Sequence, residues 1–366
     1  MQRAEAIWKL DWRLPSLTLV CFLLAFAGDA LGGANPYKSE AQENADAAKI
    51  VGPVKLENNC QSCHALEYDA WLHSRHYATI KDRHQSPRAK EVLANMQQKS
   101  MKRAGDCRQC HYTSVIKADK LRASWGVSCE SCHGPAKDWN PIHNKAGGSA
   151  SGNTLEWGTG KKGDAAARAA RLKPSQAKGM IHSDMIYEIA TNCFGCHTVP
   201  NEPLVNKGDH KAGSADFELA TWSQGEVRHS FATSPGAPDS PTNRAATPEQ
   251  RRRLYVVGQM VDLEYSLRNI ANAKEKGGKF QQAMVERANA ARKNLAAVLS
   301  AVPISEIAGA VNAVPASITS STAISGAMAD KVGAAAKKFA NSQDGSKLGA
   351  IDGLIPKQVK GTPYSG

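Results

Sequence analysis

Hydrophobic and polar positions divide this 366-residue chain into three regions of different character. The first is an apolar run from Leu17 to Ala27, preceded by Arg3, Lys9 and Arg13 and followed by Gly28, Ala30, Gly32, Gly33 and Ala34. That layout predicts a secretory signal over residues 1–34, cleaved after Ala30 or Ala34. The run is shorter than the ~20 residues a membrane-spanning helix needs. Val20, before Cys21, is too large for a lipoprotein cleavage site. Residues 35–231 hold no sustained helical or strand period, and the Gly-rich, basic stretch between His143 and His182 reads as a surface excursion. Residues 232–246 are a Ser/Pro/Ala linker.

Beyond the linker the pattern becomes helical. Thr247, Pro248 and Gln250 are a helix start: an N-cap, a proline in the first turn and a capping-box partner. Leu254, Val257, Val261, Leu263, Leu267 and Ile270 follow on a broad apolar face. Gly277-Gly278 ends this helix. A second helix presents Phe280, Met284, Ala288, Ala291, Leu295, Val298 and Val302 and stops at Pro303. Weaker Ala-rich helices are expected near 304–312 and 323–340, so 247–340 reads as a separate helical domain. The polar, Gly-rich tail 341–366 is expected to be loose. The fold class is therefore mainly α: an irregular domain with short helices, then a helical hairpin region.

Cysteine placement supplies the chemistry missing from the periodicity. Eight of nine cysteines fall in four copies of Cys-x-x-Cys-His: Cys60/Cys63/His64, Cys107/Cys110/His111, Cys129/Cys132/His133 and Cys193/Cys196/His197. This spacing is the attachment signature of c-type haem, in which two thiols add to the haem vinyl groups and the adjacent His ligates iron. A zinc site would not need a His after every second thiol, and a disulfide framework would not need the His at all. Four covalently bound haem c groups follow, each with its iron. They also supply core, which explains how a domain of weak periodicity can fold. Attachment of such haem after export agrees with the signal segment, so the expected location is periplasmic or otherwise exported.

Charge changes meaning once haem is counted. The formal net charge is +12, a value that alone would suggest a nucleic-acid or membrane partner. Four haems bring about eight propionate charges, which call for Arg or Lys nearby. Much of the basic excess is then internal, and nucleic acid is not an expected partner. What remains suits docking of redox partner proteins. The C-terminal helices are the candidate surface for peripheral membrane or redox-complex association.

Two segments carry a family resemblance. The first motif continues to Trp71, His73 and His76; the third reads Gly126-Val127-Ser128-Cys129-Glu130-Ser131-Cys132-His133-Gly134-Pro135, followed by His143. Over about residues 57–200 this resembles the tetrahaem cytochrome c-554 family. The resemblance implies electron transfer and haems stacked in close pairs. It implies His143 opposite His64, His182 opposite His133, and His76 opposite His197. It leaves the haem on His111 five-coordinate.

His210 and His229 have no counterpart in that pattern, and either is a candidate cap for the second haem. His73 reads as a solvent or propionate contact, His84 as a surface residue, and Met96 and Met101 as surface or packing residues. One-electron transfer between redox partners in a respiratory chain is the first expectation. An open iron at His111 would instead suit reduction of a small nitrogen oxide. A subunit docked into a larger redox complex would leave an uncovered apolar patch on residues 248–302.

Overall fold

The computed structural model describes residues 38–54, 60–62, 64–143, 165–214, 216–231 and 242–366. The expected signal segment, Cys63, most of the Gly-rich excursion and linker residues 232–241 lie outside them.

The architecture is mainly helical. Short helices come first: α1 (Glu40–Ala47), α2 (Ala65–Leu72), α3 (Arg75–Ala78), α4 (Pro87–Asn95) and α5 (Gly105–His111). An antiparallel hairpin follows, β1 (Thr113–Lys117) with β2 (Lys120–Trp125). Its turn residues Ala118 and Asp119 both have positive φ, as a type I′ turn requires. Six more short helices follow: α6 (Cys129–His133), α7 (Asn140–His143), α8 (Ala165–Ala177), α9 (Ile186–His197), α10 (Glu202–Asn206) and α11 (Leu219–Ser223). Four C-terminal helices complete the chain: α12 (Pro248–Asn272), α13 (Lys279–Ala301), α14 (Ser305–Asn312) and α15 (Gly326–Ser342).

Local chemistry sets the boundaries of α12. The Thr247 side chain accepts from the Gln250 amide while Gln250 accepts from the Thr247 amide, a complete capping box. The helix is buried nearly all round, not on one face. Its polar residues meet partners inside: Tyr187 and Arg268 donate to Glu264, Arg287 pairs with Asp262, and Asn294 donates to Gln259. Buried polar groups that are paired in this way escape most of the desolvation penalty.

The helical region is not a domain of its own. One core joins Ile186, Tyr187, Phe194, Phe217 and Leu219 of the motif-bearing part to α12, α13, α14 and α15. The described residues fall in one compact unit. The expected boundary fails because the apolar surface of α12 is too large for its hairpin partner and is closed by α9 and α11.

The expected loose tail also differs. Residues Ser346–Leu354 form a 3-10 segment with Leu348 and Ile351 buried. Lys360 then bonds through its backbone to Glu226 and Thr221. Backbone groups, which composition does not report, hold this polar tail down. The uncovered apolar patch on 248–302 is not found: among the described residues the exposed large hydrophobics are Val54 and Leu354. No described helix is long and apolar enough to cross a membrane.

Candidate haem-binding site

Each motif sits on a short helical piece ending at its His. Cys60–Ser62 form a single 3-10 turn leading to His64, while α5, α6 and α9 end on His111, His133 and His197. The residues between the cysteines anchor these pieces. Arg108, in the second motif, makes a buried two-pronged ion pair with Glu43 of α1 at 2.6 and 2.8 Å. Glu130, in the third, accepts from the amides of Val51, Gly52 and Ala136 at 3.0, 2.7 and 2.7 Å. Phe194, in the fourth, is buried in the main core. The family-like Glu of the third motif is thus a clasp that ties residues 51–52 to α6.

The motifs converge on one cavity of about 2040 Å³ lined by their cysteines and histidines. An ordinary ligand pocket holds roughly 300–1,000 Å³. None of the seven described cysteines is in a disulfide. Cys60 lies within hydrogen-bonding reach of Cys129, and Cys110 within reach of Cys196. Cys132 faces Cys193 and Cys196 closely enough to interact electrostatically. The motifs therefore stand in the order first, third, fourth, second.

Across the cavity every motif His meets a second imidazole. Ring centroids are 6.1 Å apart for His64 and His143, 6.3 Å for His76 and His197, 6.3 Å for His111 and His210, and 6.0 Å for His133 and His229. Two metal–nitrogen bonds of about 2 Å, each extended about 1.1 Å to a ring centre, span about 6.2 Å. The four gaps therefore fit a hexacoordinate iron between two imidazoles.

Ring orientation agrees with this fit. Nδ1 of His133, His210 and His229 lies 2.8, 2.7 and 2.8 Å from the carbonyls of Ile181, Lys211 and Val227. Donation from Nδ1 leaves Nε2 free to ligate. Burial, followed by the neighbouring imidazole, pushes His111, His133 and His143 down to about 4. His197 is pushed down to about 3 by burial and then by His76, and burial lowers His76 itself. Neutral imidazole is the form a metal requires. The wall also carries buried donors without a protein partner: the Tyr112 hydroxyl, Trp139 Nε1 and Arg228 Nε. Such donors suit carboxylates like haem propionates.

Two expected positions change. His182 is not the ring facing His133. The Ile181 carbonyl takes the His133 Nδ1 side, and the Ile181 amide donates to the His133 carbonyl. His182 lines the same cavity, with its Nδ1 3.2 Å from Asp184. His229 takes the facing position. His210 stands opposite His111, on the side the resemblance leaves open. Asp209 steers that loop, at positive φ, through ion pairs with Arg88 and Lys279 at 2.8 and 2.9 Å.

The remaining histidines stand apart from these pairs. His73 stacks on Tyr364 at 4.5 Å, and His84 is half-buried. Met101 is buried in a small cluster with Leu93, Ala104, Cys107 and Tyr112. Sequence could have flagged His210 and His229 only as histidines left over after the motif and family assignments.

Comparison with known proteins agrees with the motif reading. A family model described as cytochrome c554 and c-prime matches residues 59–134. Cytochrome c-554 of Nitrosomonas europaea (strain ATCC 19718) is 27% identical over 104 residues, covering 26% of this chain and 44% of that protein. The chain thus spans less than half the length of that curated relative. No solved structure matches. Residues 59–134 are thus similar to the cytochrome c554 and c-prime family, a similarity that supports a c-type cytochrome with covalently bound haem c.

Proposed function

We propose that the protein is an exported tetrahaem cytochrome c that passes single electrons between redox partner proteins of a respiratory chain. The observation that carries this reading is the set of four imidazole pairs at 6.0–6.3 Å, each containing one motif histidine. A haem iron supplies a site that holds or releases one electron, and bis-histidine ligation suits it to transfer without substrate binding. The chain's own residues do the rest. Carbonyls at Ile181, Lys211 and Val227 fix three ring orientations, and burial holds His76, His111, His133, His143 and His197 below the usual imidazole range. Phe217 stacks on His197 at 4.3 Å and Trp222 packs edge-on at 5.0 Å, which excludes water from that ligand. Contact between motifs in the order first, third, fourth, second provides a continuous row of sites.

Export is supported by the basic-then-apolar start of the sequence and by the attachment chemistry of haem c. The reading as a nitrogen-oxide reductase needs an open iron at His111, and His210 weighs against it. Docking through an apolar patch on 248–302 lacks that patch. Carbon monoxide titration of the fully reduced protein tests the reading. A carrier with four capped irons leaves the Soret band unmoved, whereas one equivalent bound would return the enzyme reading to first place.

A further inference from the structure

His229 is the least enclosed of the eight paired histidines: it is exposed, on an irregular segment, with no helix to hold it. Its own bond from Nδ1 to the Val227 carbonyl fixes the ring against residues 226–231, so the ligand is only as well placed as that segment. Two elements hold the segment. Asn243 accepts from the Ser230 amide at 2.9 Å and donates to the Arg228 carbonyl at 2.7 Å. The C-terminal residues supply the other side. The Glu226 amide donates to the Lys360 carbonyl at 2.9 Å, and the Lys360 amide donates to Thr221 at 3.1 Å. Lys360 Nζ pairs with Asp216 at 2.6 Å and lies 5.0 Å over the Trp222 ring. Asn243 also donates to the Tyr364 carbonyl at 2.8 Å, which joins the two holders into one clamp. The Tyr364 ring stacks on His73 at 4.5 Å and meets Phe231 at 6.4 Å, tying the clamp to the end of α2.

We propose that residues 360–364, acting with Asn243, form a strap that positions His229 as the sixth ligand of the iron held by His133. The inference rests on the four-haem reading above. It explains a polar tail that packs in order along the motif-bearing part with little apolar surface of its own. The residues of the strap touch no haem-facing imidazole directly; they are positioning residues that act through the 226–231 backbone. Loss of the strap leaves this segment held by Asn243, the Arg244 amide's bond to the Ser230 carbonyl and the Arg75–Glu226 ion pair, and a looser carrier segment lowers the local concentration of the imidazole at the iron. The strap's side chains also reach Trp222, which packs on His197, and His73, but its backbone bonds through Glu226 and Asn243 go to the His229 segment, so the main effect falls on one haem of four.

The test compares three oxidised proteins by quantified electron paramagnetic resonance: His229→Ala, a chain ended after Lys357, and full-length Asn243→Ala. The expected result is a high-spin signal worth one haem in four for His229→Ala and for the shortened chain. A smaller high-spin fraction is expected for Asn243→Ala. Added imidazole should return all three to low spin, which a general loss of structure would not allow. If the shortened chain does not accumulate, Asn243→Ala decides. If His229→Ala turns high-spin while both strap variants stay fully low-spin, the strap proposal is overturned and the ligand reading stands. If His229→Ala itself stays low-spin, His229 is not the ligand, and that reading falls together with the strap.

Discussion

Gly126 is the position where a single methyl group should move an axial ligand. It lies just ahead of the third motif, beneath the backbone of α3. A Cβ placed there would lie 2.2 Å from the His76 carbonyl oxygen and 2.6 Å from that of Tyr77. Both are main-chain atoms, so no rotamer change relieves the clash. Reaching even 3.0 Å from the His76 oxygen requires the two backbones to part by about 0.8 Å. That separation would lengthen the Val127 amide's 3.0 Å bond to the same oxygen beyond useful range. Overpacking costs about 1–3 kcal/mol and the lost bond about 1 kcal/mol, so Gly126→Ala should destabilise by about 2–4 kcal/mol. The ligand should respond as well, because His76 rides on this backbone and a shift of that size is a large fraction of a metal–nitrogen bond of about 2 Å. The assay is urea denaturation with spin-state quantification in parallel. Gly309→Ala is the control: its added Cβ meets nothing within 4 Å, in the middle of α14, and should be neutral or stabilising. A Gly126→Ala protein with the parent's midpoint and an unchanged low-spin spectrum would refute the reasoning.

Arg108→Ala should cost about 3–5 kcal/mol, because it leaves the Glu43 carboxylate buried without its partner; a double Arg108→Leu/Glu43→Leu variant should recover most of this in the same denaturation experiment, and failure to recover would reject the ion-pair account. Ala118→Gly should stabilise by about 1 kcal/mol, since Ala118 is held at φ 47 in the hairpin turn where glycine carries no steric penalty; a lower midpoint would contradict the type I′ assignment. Burial pushes the Asp262 carboxyl up to about 6, with Arg287 opposing. Its folded-state value then lies above the unfolded one, so the folded form binds the proton more tightly. Its contribution to stability grows as pH falls from about 7 through 6 towards 4. The stability difference between parent and Asp262→Asn should shift towards the parent by up to about 3 kcal/mol over that range; a difference flat with pH would show the carboxyl stays ionised.

The proximal ligands were legible because covalent attachment imposes a fixed local spacing, and Cys-x-x-Cys-His survives any change of fold around it. The helices α12 and α13 were legible for a similar reason: Thr247-Pro248-Glu249-Gln250 and the Gly277-Gly278 stop act within a few residues. The distal ligands come from chain segments brought together only by packing. His143 and His76 were reached through a family pattern. His229 was not: its segment is held by Asn243 and by the Lys360 carbonyl's bond from the Glu226 amide, contacts that no local signal announces. His182 came from the resemblance, whereas the Ile181 carbonyl lies at Nδ1 of His133 and His229 faces that ring. The buried polar side of α12 misled in another way. Only a broad apolar face is legible there, while Asp262 and Glu264 are buried against Arg287 and Tyr187 from distant segments and Arg268 one turn on in α12. The tail looked loose because it is polar and Gly-rich, while Leu348 and Ile351 are buried in the main core and Lys360 bonds through its backbone to Glu226 and Thr221.

The central claim is that four irons are each capped by two histidines. Electron paramagnetic resonance of the oxidised full-length protein, integrated against haem content, tests it most directly. The account predicts four low-spin haems per chain and no high-spin signal beyond trace. A high-spin signal worth one haem in four would contradict it, and His210→Ala and His229→Ala would then show which of the two leftover histidines does not reach its iron.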